Sequence, residues 1–143
     1  NDSISAGTGN DRIRGHSGHD SIKGGDGDDN ILGDAGHDVI RGGDGNDMII
    51  GGAGNDLING DDGDDSINGN GGDDVILMGD GEDRALGGSG ADSILGGDGD
   101  DTLNGQGGTD ILAGNQGTNS FADLTEVDES LTLSLAVLDA LNI

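Results

Sequence analysis

The sequence predicts an all-β fold: a right-handed parallel β-roll, a solenoid of two short-stranded parallel sheets with 18 residues per coil and a short C-terminal cap. Three observations predict it. A nine-residue frame runs from Asn1 to about Ala122 without a slip. Glycine fills its fourth position in every copy from Gly9 to Gly117. Its eighth position is apolar throughout: isoleucine from Ile4 to Ile76, then Ala85, Ile94, Leu103, Leu112 and Phe121. Chance does not hold so many copies in register, and a fixed period marks a repeat architecture.

The frame reads G-G-x-G-x-D-x-U-x, where U is apolar; clean copies are Gly42–Ile50 and Gly96–Asn104. Its first six positions read as a turn, because glycine permits positive φ and close backbone approach, which aims carbonyl oxygens inward. Its last three read as a minimal strand, with the middle residue facing one side and its neighbours the other. Two repeats then make one coil, with turns on alternate edges. Equivalent positions one coil apart stack at ~4.8 Å, so about seven coils make a rod roughly 30–35 Å long with an apolar ladder between its sheets. Ala85 interrupts that ladder in the repeat that starts with Met78, where glycine is the rule. Either the flexible Met78 fills the space that Ala85 leaves, or the repeat is merely degenerate. The seventh and ninth positions face outward. On one sheet they include Val39, Leu57, Val75, Leu77, Leu95 and Ile111, either tolerated exposure or a packing surface for a partner or the tail.

The sixth position carries the chemistry. One column holds Asp2, Asp20, Asp38, Asp56, Asp74, Asp92 and Asp110; the other holds Asp11, Asp29, Asp47, Asp65, Asp83, Asp101 and Asn119. Stacking carboxylates at ~4.8 Å is costly without a counter-ion. A hard dication between successive turns reverses the sign, since each interior Asp can give one oxygen to the ion above and one to the ion below. Turn carbonyls complete six to eight oxygen ligands, which suits Ca²⁺ better than Mg²⁺. Each column of seven has six gaps, so there are twelve possible sites, of which about ten fill once the ends fray.

Composition points the same way. The chain has 143 residues, 33 glycines, one aromatic residue and a net charge of −25, a combination that ordinarily means disorder. Repeat order and this composition are compatible if a cation neutralises the carboxylates: about ten dications carry about +20. Cysteine is absent, so there is no disulfide framework and no thiolate site. No apolar run could span a membrane, and the acidity disfavours nucleic acid and anionic lipid. The chain starts in mid-repeat without an initiator Met, so a larger parent with flanking domains is expected.

These repeats resemble the RTX (repeats-in-toxin) nonapeptide module, the hemolysin-type calcium-binding repeats, over residues 1–122. The resemblance implies a β-roll that is unfolded in calcium-poor cytoplasm, leaves through a type I secretion channel and folds on extracellular calcium. It also implies attachment to a secreted bacterial lipase, protease, epimerase, toxin or adhesin. None of those chemistries is written in this segment.

Other features divide between roles. Acids at the third and fifth positions, such as Asp26, Asp28, Asp44, Asp62, Asp64, Asp80, Asp98 and Asp100, read as a solvated rim that concentrates calcium. His19 and His37 share the fifth position one coil apart and should stack, with His16 nearby. They read as solvated turn histidines, or as a transition-metal or pH-sensing site. Residues 123–143 leave the frame. Asp123–Glu126 could form a capping box, and Leu131, Leu133, Leu135 and Val137 alternate like a strand. This segment is expected to cap the open ladder, keeping the roll monomeric, and its acidic-then-apolar end, Asp139–Ile143, is similar to type I secretion signals. The expected function is a calcium-binding structural, folding and secretion module without catalysis, since no nucleophile–base pair or aromatic cleft is present. A polysaccharide- or surface-binding module of an adhesin or extracellular enzyme is the alternative.

Overall fold

The structure, a computed structural model, describes residues 1–122. It is an all-β parallel solenoid of about seven turns, about 18 residues each. One sheet stacks β1 (Ser3–Thr8), β3 (Ser21–Asp26), β5 (Val39–Asp44), β7 (Leu57–Asp62), β9 (Val75–Asp80), β11 (Ser93–Asp98) and β13 (Ile111–Gln116) in chain order. The second stacks β2 (Arg12–Arg14), β4 (Asn30–Ala35), β6 (Met48–Ala53), β8 (Ser66–Gly71), β10 (Arg84–Ser89), β12 (Thr102–Gly107) and β14 (Ser120–Ala122). Every strand pair is parallel and offset by one coil, as in Ile40↔Ile58 and Ile49↔Ile67. Among the described residues no helix is long and apolar enough to cross a membrane.

The strands are longer than the three residues expected. Most run six, from the seventh position of one repeat through the third of the next. The reason is visible in the register: Leu57, Ile58 and Asn59 pair with Val75, Ile76 and Leu77, the first position is skipped, and pairing resumes with Asp61↔Gly79 and Asp62↔Asp80. Glycine at the first position lets the chain kink there without leaving the ladder. The turn proper shrinks to positions four to six. There Gly54 takes φ 124°, and a Cβ on it would overlap the carbonyl oxygen of Gly36 in the coil before, so no other residue fits.

The second position also needs positive φ, yet it often lacks glycine. His16, Asp34, Asp61, Asn70, Gln106 and Asn115 occupy it at φ 64–77°. Asn, Asp and His tolerate this region through local hydrogen bonding, which accounts for five of the six.

The core is the eighth-position ladder from Ile13 to Leu112, fully enclosed from Ile22 to Leu103. Met78 belongs to the same cluster, and Met78 and Ala85 are both 0% exposed. A Cβ on Gly51 would lie 3.0 Å from Cδ1 of Ile58, seven residues on. Where the first position is Met78, the residue seven on is Ala85, and the colliding methyl is gone. Both residues enclosed in one cluster are what a size exchange requires. On the outer faces Val39 (50%), Leu57 (43%) and Ile111 (44%) are exposed, while Val75, Leu77 and Leu95 are half-buried. Met48 is equally exposed on the other sheet. The expected cap at 123–143 lies outside the described residues.

Candidate metal centre

The sixth-position side chains point into the solenoid between coils. Asp20 to Asp101, ten residues in all, are at most 3% exposed. Asp2 is exposed, and Asp11, Asp110 and Asn119 are half-buried at the two ends. The frame explains the placement: the sixth residue closes the turn two positions before the buried isoleucine, on the same face of the chain.

Each carboxylate uses its two oxygens differently. Oδ1 accepts the main-chain N–H of the aspartate one coil earlier: Asp38 N–H to Asp56, Asp47 N–H to Asp65 and Asp56 N–H to Asp74, each at 2.8 Å. The bonds repeat along both columns, from the Asp2 N–H on Asp20 to the Asp101 N–H on Asn119. Oδ2 has no partner in any of the ten buried aspartates. In every repeat but the one that begins with Met78 it lies over the first-position glycine, so that a Cβ on Gly51 would come 2.5 Å from Oδ2 of Asp56. First-position carbonyls of the next coil face the same gaps, since that Cβ on Gly51 would also lie 3.0 Å from the carbonyl oxygen of Gly69.

A row of buried acceptors without donors is unfavourable unless protons or cations fill it. The carboxyl groups register this. Burial pushes Asp47, Asp56 and Asp83 up to about 6, and Asp65 and Asp74 up to about 7. The main-chain hydrogen bond opposes burial in each, and neighbouring aspartates add to it. Burial also raises Asp92 and Asp101. Asp20 goes the other way, lowered first by its hydrogen bond from the Asp2 amide.

Among the described residues, no three carboxylate or imidazole groups converge on one point. A cation between coils therefore meets few side chains and must take most of its ligands from carbonyls. All-oxygen, carbonyl-rich and flexible coordination fits Ca²⁺ and suits Mg²⁺ poorly. The unpartnered Oδ2 atoms and this donor set fit the calcium expected at the sixth position.

The fifth position is more than a solvated rim. Its side chains form a second ladder running the opposite way, accepting from the following coil: Asn46 N–H to Asp28 Oδ1 at 3.0 Å, Asp64 N–H to Asn46 Oδ1 at 3.0 Å, Glu82 N–H to Asp64 Oδ1 at 2.9 Å. His19 and His37 belong to it. Their rings stack at 4.9 Å and 4°, and each Nδ1 accepts a main-chain N–H at 2.7 Å. That bond places the proton on Nε2, so neither ring offers an outward lone pair to a transition metal. The recurrence of Asn, Asp and His at spacing 18 is the signal that could have shown this ladder. Two ion pairs were likewise not anticipated: Arg14 grips Asp34 with Nε and a terminal nitrogen, and Arg41 meets Asp61 at 3.0 Å. Both acids hold the second position of the next coil.

The family model for the RTX calcium-binding nonapeptide repeat matches in four copies, at residues 1–31, 23–58, 50–85 and 86–121. No curated protein matches the chain. The match covers nearly all of the repeat region, and the chain belongs to that family of calcium-binding repeats.

Proposed function

We propose that this member of the RTX repeat family is a calcium-folded module of a secreted bacterial protein, with a structural, folding and secretion role and no catalysis of its own. The observation that carries the reading is the double row of ten buried, unpartnered Oδ2 atoms. In calcium-poor cytoplasm, charge repulsion and the weak core leave the chain unfolded. Outside the cell, about ten ions at up to twelve intercoil positions neutralise most of the net charge of −25. An unfolded chain suits export through a narrow type I channel, and folding outside follows from the calcium gradient. Flanking domains of a larger parent supply whatever activity that protein has.

Far-UV circular dichroism tests the reading. Coil is expected in chelator and β structure in millimolar calcium, the range of extracellular modules. Equal β content in both conditions overturns it.

A further inference from the structure

The two turn edges of the roll are chemically different. On one edge the third position stacks Asp26, Asp44, Asp62, Asp80 and Asp98 in unbroken register. On the other the equivalent residues are Ala35, Ala53, Gly71 and Ser89. The fifth position repeats the contrast in weaker form: Asp28, Asn46, Asp64, Glu82 and Asp100 on the first edge against His19, His37, Asn55, Asp73 and Ala91 on the second. The fifth-position acids are held in place, because Oδ1 of Asp28, Asp64 and Asp100 each accepts a main-chain N–H from the next coil.

Each edge covers its own column of sixth-position carboxylates. The acidic edge covers the column from Asp11 to Asn119, and the neutral edge the column from Asp2 to Asp110.

We propose that the two calcium columns are unequal: the column beneath the acidic edge is the high-affinity one and fills first, and the third- and fifth-position acids set that order. The inference rests on the calcium reading above. Extra fixed negative charge close to a cation site tightens it. Several acids per site, acting through solvent, amount to a difference of about tenfold between columns.

The test uses the full chain, ¹⁵N-labelled and calcium-loaded, with free calcium lowered by chelator. The amides of Gly45, Gly63 and Gly81 report the acidic edge, and those of Gly54, Gly72 and Gly90 the neutral edge. The neutral-edge signals are expected to change at about tenfold higher free calcium. The triple variant D44S/D62S/D80S should bring the acidic edge to the neutral-edge value and leave the neutral edge nearly unmoved. The reverse variant, A35D/A53D/S89D, removes no native contact of the acidic edge and should tighten the neutral edge. Release of both edges at one calcium concentration, or equal shifts of both edges in either variant, overturns the inference alone. No response of either edge to calcium overturns the calcium reading as well.

Discussion

The main-chain N–H of Asp38 donates to Oδ1 of Asp56 at 2.8 Å, while Oδ2 of Asp56 is buried without a partner. One side chain thus joins two coils with one oxygen and faces the next gap with the other. The two roles can be separated by substitution. Asp56→Asn keeps the acceptor and removes the charge, so it should fold only at raised calcium. Asp56→Ala loses both, adding about 1–3 kcal/mol for the stranded Asp38 amide. Asp2→Ala, at an exposed end, should be nearly silent. Calcium titrations of all three check this, and equal midpoints for Asp56→Ala and Asp2→Ala refute a ladder in which Oδ1 joins the coils and Oδ2 alone, not both oxygens as the spacing suggested, is left for calcium.

Acid should partly replace calcium. Unfolded aspartates titrate near 3.9, whereas burial raises Asp65 and Asp74 to about 7 and Asp47, Asp56 and Asp83 to about 6. Between those limits the folded chain binds more protons than the unfolded one. Its stability in chelator therefore falls as pH rises from about 4 to about 7. Circular dichroism in chelator should show more β structure at about pH 5 than at about pH 8. With calcium present the sign reverses, since ligands must lose protons to bind, and the calcium midpoint should rise as pH falls. More β structure at the higher pH in chelator contradicts the protonated-ladder account.

Asn119 shows what an amide does in this place. Its Oδ1 accepts the Asp101 N–H at 2.9 Å, as an aspartate would, but its Nδ2 donates to the Gln116 carbonyl at 3.3 Å. The second oxygen of the ladder is replaced by a donor. Asn119→Asp puts a negative charge beside the gap between Asp101 and Asn119 and should tighten that last site severalfold through the charge, since its second oxygen faces away from the described coils. Isothermal titration calorimetry reads this as higher stoichiometry or a lower dissociation constant. If neither moves, ligand charge does not limit that site.

Met78 and Ala85 should behave as a coupled pair. Ala85→Ile alone overpacks the core by about 1–3 kcal/mol. Met78→Gly alone opens a cavity costing about 2–5 kcal/mol. The double variant recreates the usual glycine–isoleucine pairing and should recover most of both losses. A thermal double-mutant cycle in saturating calcium measures the coupling, and additive losses dismiss the exchange.

Much of this is legible in the sequence. The frame identified the Ile ladder, both aspartate columns, the parallel sheets and the coil length, because strict spacing leaves stacking no freedom. Besides the Arg14–Asp34 and Arg41–Asp61 pairs, three things were not readable. Strand length was misjudged because glycine marks turns in general, yet Gly42 and Gly51 lie within strands that merely kink. The unlike fates of Oδ1 and Oδ2 depend on which coil each oxygen faces, which spacing does not specify. The fifth-position acids are exposed, as a rim requires, but the bonds that Asp28 and His37 accept from the next coil were not readable, because exposure says nothing of a hydrogen bond. The segment from Asp123 to Ile143 has no period from which to argue.

Coils keyed only to their immediate neighbours make eighteen residues the natural unit of gain and loss. Excising 47–64 would remove one full turn and leave Asn46 followed by Asp65, with every column, sheet and edge continuous. Excising nine residues, such as 51–59, is a different event. The buried ladder would survive, because the eighth position recurs in both half-coils, but everything downstream would be rotated by half a turn. Asp62, Asp80 and Asp98 would move to the edge now held by Ala35, and Arg41 would lose its place opposite Asp61. The interior is indifferent to parity and the exterior is not, so lengthening or shortening by whole turns preserves the surface pattern while a half-turn step scrambles it.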